Sequence, residues 1–376
     1  MSYATGAAKP PAARADTGRP AASFWRPQQR SVTSKTRGVA AERQERRLKA
    51  VETAAAEAAT AAEATTAAPP PADTWAAFAA AVSGEWEGVT ASFGPDGSPI
   101  QLPEYYVPQA YRDWGVELFD WQSQSSMLAD EGGLTATDRR MMPTVGCEAD
   151  AIAYTQDARQ LFSTGPAGPP PTVAADGSYS TGPFDVSAAD CHKAAFEACL
   201  MLPCQPGGQQ HRLRLVHNLA RLGAERRWQL QDVELHWERY DSPYRGKLEL
   251  SGCGGGMKAF ATGEPLAADA LAGAWVASGV RWTADASSSS SSSSDGTALQ
   301  AEAVAGEQWS AEGLEPLLLH PLRAWSCCRA CGEGGSDISL AAGVLRDEAG
   351  TSMALATRRL VGGRLAAVEL LTLTRA

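Results

Sequence analysis

Between His211 and Tyr240 apolar and polar residues alternate with a period of two. His211-Arg-Leu213-Arg-Leu215-Val-His217-Asn-Leu219 sets leucines on one face and arginines on the other, the pattern of a strand. Arg221-Leu-Gly223-Ala-Glu225 turns the chain, and Trp228 to Tyr240 returns it. A one-residue phase slip between Leu230 and Val233 predicts a β-bulge in the returning strand. Upstream, Thr74–Val82 reads as a short helix with Asp73 as its cap. Strands are predicted at Val89–Phe93, Val116–Gln124, Thr135–Met142 and Val145–Tyr154, while Phe196–Leu202 reads as a strand or, by its alanines, as a helix. Gly94–Gly97 predicts a turn, the proline-flanked Leu102–Pro108 an extended segment, and Gly177–Phe184 a hairpin region. Downstream, Val280–Trp282, Leu314–Leu319, Leu322–Cys327, Ile338–Arg346, Met353–Leu360 and Leu365–Thr374 continue the β pattern.

One phrase occurs twice. Trp75-Ala-Ala-Phe78 and Val82-Ser-Gly84-Glu85-Trp86 precede the first strand, and Leu271-Ala-Gly273-Ala-Trp275 precedes Val280-Arg-Trp282. In each, glycine lets the chain pass tightly under the end of a sheet, and tryptophan plugs that end with a large ring. A helical prelude, Gly-x-Trp and a strand, repeated, predict an internal duplication. The fold class expected is therefore all-β: two lipocalin-like (calycin) antiparallel β-barrels behind a disordered or helical leader. The boundaries are placed at 1–72 for leader and linker, 73–262 for the first barrel and 263–376 for a smaller second one. Ser287–Ser294 reads as a flexible insertion between strands of the second.

Charge adds a compartment to this picture. The chain of 376 residues has a formal net charge of −10, but residues 1–50 carry eleven Lys/Arg against three acids. A basic leader rich in Ala, Ser and Pro reads as an organelle transit peptide. Ala41–Ala68 reads as a solvated helix and Pro69–Pro71 as a stiff spacer. The acidic body argues against direct nucleic-acid binding, and no apolar run is long enough to predict membrane insertion. Of the eight cysteines, Cys328-x-x-Cys331 with Cys327 beside it has a redox or zinc-like spacing, and Cys199 with Cys204 a second one. Irregular spacing and the lack of a nearby histidine favour structural thiols.

A search for catalytic signatures is negative. No nucleophile elbow, phosphate loop or His-Glu-x-x-His occurs, and Gly252–Gly256 lacks the lysine that a phosphate loop needs. His217, His236 and Glu234 could be drawn together as a metal set, but partly buried strand histidines explain them more simply. Glu104 with Asp113, and Glu234 with Glu238, read as rim charges. Hence no catalytic residue, metal or cofactor is expected. Trp114, Trp121, Trp228, Trp237 and Trp282 fall on or near predicted strands, where they either fill a barrel core or line a cavity for an apolar or tetrapyrrole ligand. Arg358, Arg359 or Arg364 is expected to stack on Trp275.

Gly84-x-Trp86, Leu102-Pro-x-x-Tyr106-Val107-Pro108, Phe119-Asp120-Trp121-Gln122, Glu238-x-Tyr240-x-x-Pro243-Tyr244-Arg245 and Ser251-Gly252-Cys253 resemble a two-barrel, calycin-like family of cyanobacteria and plastids. That family includes the chloroplast biogenesis factor required for ATP synthase. The resemblance spans residues 74–376; the alanine-rich leader, the serine run and Cys327–Cys331 depart from it. It implies a non-enzymatic assembly factor of the chloroplast stroma, contacting the beta and gamma subunits of the ATP synthase head. The candidate partner-binding face is the arginine face of the hairpin, Arg212 and Arg214 with Arg221, Arg226 and Arg227. The alternative is a carrier of a small apolar ligand.

Overall fold

The computed structural model describes residues 74–107, 109–141, 153–163, 171–204, 208–223, 226–247, 257–284, 299–332 and 335–376. The leader, Asp73, the serine run, Gly252–Gly256 and most of the Val145–Tyr154 strand lie outside them.

Helix α1 (Thr74–Val82) leads into β1 (Gly84–Phe93), followed by β2 (Asp120–Asp130), β3 (Gly133–Met141), β4 (Ala153–Ser163), β5 (Tyr179–Thr181), β6 (Lys193–Met201), β7 (His211–Leu222) and β8 (Arg227–Ser242). These form one antiparallel sheet in the order β4-β3-β2-β1-β8-β7-β6-β5. First and last strands are neighbours, so among the described residues the sheet curls on itself with one gap, between β4 and β5. That gap is narrow: Thr181 donates its hydroxyl to Leu161 O across it (2.9 Å), and Phe162 meets Tyr179 edge to face at 5.9 Å. A nearly closed barrel results.

The second sheet contains β9 (Trp275–Ala284), β10 (Leu299–Trp309), β11 (Leu317–Leu319), β12 (Ala324–Cys331), β13 (Asp337–Leu345), β14 (Ser352–Val361) and β15 (Arg364–Arg375). Its order, β10-β9-β15-β14-β13-β12-β11, again makes first and last strands neighbours and leaves one internal gap. The chain is thus all-β with two antiparallel sheets of the same meander plan. The boundary placed at 262/263 falls in the turn closed by Gly263 N–H on Phe260 O.

The duplicated phrase has the same geometry in both halves. Trp86 and Trp275 are fully buried, and each indole N–H bonds the carbonyl four residues back, Val82 (3.0 Å) and Leu271 (3.1 Å). Gly84 has φ +152, and a Cβ there would stand 2.5 Å from the Tyr240 ring; Gly273 has φ +101. A guanidinium covers each indole, Arg212 at 3.8 Å from the Trp86 centroid and Arg375 at 4.7 Å from that of Trp275. Arg375, rather than Arg358, Arg359 or Arg364, makes the second stack, because β15 pairs Arg375 with Trp275 itself.

The alternation of β7 places leucines and arginines in an unexpected sense. Leu213 and Leu215 are buried, together with Val89, Ala91, Val233 and Leu235, against Ala342, Val344, Ala354, Ala356 and Val368 of the second sheet. The leucine face of the barrel is therefore its outer wall, covered by a second layer, and the arginine face is its interior. The bulge occurs as predicted: Asn218 pairs with Asp232 but Leu219 with Leu230, leaving Gln231 out.

Candidate functional site

The barrel interior is built in two zones. At one end Phe78 and Val82 of α1 enter beside Trp86, Met127, Leu134 and Phe162. Above this apolar plug the inward positions carry charge. Arg212 and Arg214 of β7, Glu238 of β8, Glu197 of β6, Asp138 of β3 and Arg159 of β4 make three guanidiniums and three carboxylates. Arg214 is the hub. Its Nε and Nη2 donate to Glu238 (2.9 and 2.8 Å), Nη2 also to Asp138 (2.8 Å), and Nη1 to Glu197 (3.0 Å). Arg212 Nε completes Glu238 at 2.7 Å, and Arg159 bridges Asp138 (2.5 Å) and Glu197 (3.0 Å). Tyr179 and Ser125 donate to Glu197 and Asp138.

Burial pushes Asp138 upward, but Arg214 and Arg159 pull it well below the usual carboxylate range. Glu197 is likewise raised by burial and drawn down by Arg214 and Arg159, to about 2. Arg214, disfavoured by burial, is held strongly protonated by Asp138, Glu238 and Glu197. The three guanidiniums and three carboxylates thus face opposite charges within hydrogen-bonding distance and compensate one another, which is the condition for placing charge inside a protein.

Beside the network lies a hydroxyl–imidazole–carboxylate row. Thr90 Oγ1 sits 2.9 Å from His236 Nδ1, and Glu234 Oε2 sits 3.4 Å from His236 Nε2. In an open cleft such a row activates a nucleophile. Here Thr90 is fully buried, Ser123 occupies its other side at 3.0 Å, and Arg214 Nη2 is 3.4 Å from the same His236 nitrogen. The row braces the interior. His217 does not join it, because its strand parity turns it to the opposite face, towards the second sheet. Among the described residues no group of three ligating side chains could hold a metal. Cys328 and Cys331, three apart on β12, project from opposite faces and cannot converge; Cys328 is buried and Cys331 exposed. Cys199 is buried within the barrel, and burial pushes its thiol up to about 12.

The proposed arginine face is therefore corrected. Arg212 and Arg214 are wholly buried and present nothing to a partner. Two strand-face neighbours were assigned to solvent, whereas the covering second sheet reverses inside and outside. Arg221, Arg226 and Arg227 lie apart from them, at the hairpin end. Arg221 binds Val186 O and Ala188 O and covers Trp228, while Arg226 bonds Ala189 O. The tryptophans are also relocated. Trp228 and Trp282 pack between the sheets, Trp121 beneath the β1–β2 connection, and Trp114 lies outside any strand.

That connection, residues 94–119, is the most unusual exterior feature. A turn at Glu104–Tyr106 interrupts the extended segment expected over Leu102–Pro108, and helix α2 (Gln109–Asp113) follows it. Leu102, Val107 and Trp121 anchor it. Above the anchor Tyr105 is 76% exposed, Trp114 64%, and Ile100 and Val116 42% each. The rings are held by their neighbours: Tyr105 against Tyr106 (4.1 Å), Tyr106 against Trp121 (5.0 Å) and Tyr111 against Trp114 (6.0 Å). The charged residues of the connection are Asp96, Glu104, Asp113 and Glu117 against a single cation, Arg112. Nothing in the sequence pattern separated Tyr105 and Trp114 from core aromatics; the prolines around them were the available signal of a loop.

No protein-family model and no curated protein matches this chain. Among solved structures it is similar to a protein of unknown function from the DUF3598 family of Nostoc punctiforme, with 16% identity, 81% of this chain and 99% of that one covered, and a TM-score of 0.44.

Proposed function

We propose that this chain is a non-enzymatic protein-binding scaffold that docks a basic partner surface on the aromatic connection between β1 and β2. The observation that carries the reading is the exposure of Tyr105 and Trp114 on a braced loop that also carries Asp96, Glu104, Asp113 and Glu117. Large rings fixed in place before binding lose little entropy on contact, and aromatic side chains supply most of the energy at protein interfaces. Partner Lys and Arg side chains find both carboxylates and ring faces on this loop. The charge-filled barrel interior supports a scaffold over a carrier of an apolar ligand. The finer reading, following the family resemblance, is an assembly factor of the chloroplast stroma whose partners are the beta and gamma subunits of the ATP synthase head.

The test is recovery of partners by the tagged chain at low and high salt, with Tyr105→Ala/Trp114→Ala alongside. Salt-sensitive recovery of ATP synthase head subunits, lost in the double variant, supports the reading. Recovery undiminished by the double substitution removes this loop as the site. A stoichiometric lipid or pigment without protein partners makes the chain a carrier.

A further inference from the structure

A small gap lies where the two sheets meet, between β6 and β7 of the barrel and β13 and β14 of the second sheet. Phe196, His217, Ala342, Ala356 and Arg358 are among the residues that line it, and it has room for about one water-sized occupant. Arg358 is 3% exposed. Its Nη2 donates to Gly182 O at 3.0 Å, and its guanidinium lies 5.3 Å from the Phe184 ring centroid and 5.8 Å from that of Phe196. Nε and Nη1 find no acceptor among the described residues, and no described carboxylate pairs with this arginine. His217, 2% exposed, leaves Nε2 equally without a partner.

The contrast with the barrel interior is direct. There every guanidinium has a carboxylate; here one has none. Burial lowers the Arg358 pKa only to about 9, so the side chain is a cation at neutral pH. An uncompensated buried cation is strongly unfavourable, and two unused donors add to the penalty. Burial holds His217 neutral, at about 4, so in its Nε2–H tautomer it is a third donor facing the same gap. Three donors, one guanidinium charge, walls that are apolar except at Ser180, Glu197 (whose carboxylate is held by Arg214 and Arg159 in the barrel) and Thr357, and space for a single sphere define the chemistry of the occupant.

We propose that the inter-sheet gap is a site for one halide-class monovalent anion, held by Arg358 Nε and Nη1 and by His217 Nε2. The small room favours a monatomic ion, and a weakly hydrated one suits walls that include Phe196, Ala342 and Ala356. The anion thereby couples β7 of the barrel to β14 of the second sheet.

The experiment replaces gluconate by bromide at constant ionic strength and follows thermal unfolding of the full chain and of Arg358→Gln. The wild type should gain about 3 °C, saturating once bromide exceeds its dissociation constant roughly tenfold. Arg358→Gln should show no saturable gain. A crystal grown in bromide should show an anomalous peak within hydrogen-bonding distance of Arg358 and His217, a readout independent of whether the variant folds. Equal responses of the two proteins, or a gap without an anomalous peak, overturn the proposal and assign the space to water.

Discussion

Replacing Arg214 by methionine keeps most of the side-chain volume and removes the hub of the barrel interior. Four hydrogen bonds to Asp138, Glu197 and Glu238 are lost. Arg212 and Arg159 remain, so three carboxylates share two guanidiniums in a largely buried site. Breaking a buried ion pair by removing one partner costs about 3–5 kcal/mol, a large part of a typical stability of about 5–15 kcal/mol. The expected fall in Tm is on the order of 10 °C. The sign of the pH dependence is the sharper test. In the wild type Glu197 has its folded pKa lowered, to about 2, and Asp138 and Glu238 are lowered too. Their contribution is complete above the unfolded carboxylate value and is lost as pH falls through the folded one, so stability is flat between pH 7 and 5 on their account. In Arg214→Met burial is opposed only by Arg212 and Arg159, and the carboxylate left without a guanidinium rises above its unfolded value. Such a group loses stability as pH rises, so the variant should become more stable from pH 7 to pH 5. Urea unfolding at both pH values reads this directly. A cost under about 1 kcal/mol, or a slope unchanged from wild type, refutes the account of the interior as a compensated charge network. Arg281→Met is the control: its partners Glu302 and Glu307 are exposed and Glu369 is half-buried, and its loss should cost about 1 kcal/mol.

Further outcomes follow from other parts of the structure. Gly343 faces Trp325, and a Cβ there would lie 2.4 Å from Cε2 and Nε1 of the indole; Gly343→Ala should cost about 1–3 kcal/mol in a denaturant titration. Burial lowers His217 to about 4 and His320 to about 3, so each contributes stability that is present above pH 6.5 and lost as pH falls through those values. His217→Gln should flatten the acid limb of the stability curve, and an unaltered limb would show that His217 is solvated. Native-state alkylation mapped by mass spectrometry should modify Cys204 and Cys331 well before Cys199 and Cys328, whose thiols are buried and pushed up to about 12.

The legible part of the sequence was local. Period-two alternation gave β7 and β8, down to the bulge at Gln231, because a strand's parity is written residue by residue. The Gly-x-Trp repeat gave the entry to each sheet. What alternation does not specify is which face meets which neighbour. Leu213 and Arg214 alternate equally well whether the leucines point into a barrel or onto a second sheet, and only the covering layer decides. β10 shows the complementary failure: Ala301, Ala303 and Ala305 alternate with Glu302 and Val304 in no apolar rhythm, since most of the strand is exposed. Trp114 was misplaced for a related reason, as tryptophan in sequence carries no mark of burial.

The neighbour relations of the two sheets constrain the order in which the molecule can be assembled during translation. β8 must return to β1 before the barrel exists, and by then its outer wall of Leu213, Leu215, Val233 and Leu235 is complete but bare. Its cover comes from β13, β14 and β15, and is completed only by β15, which lies between β9 and β14 and joins two otherwise separate parts of the second sheet. Until that strand is synthesised the nascent chain displays a broad apolar wall, a surface prone to self-association and attractive to chaperones. Loss of β15 alone would consequently be read in the cell as aggregation of the whole chain, not as the absence of one strand.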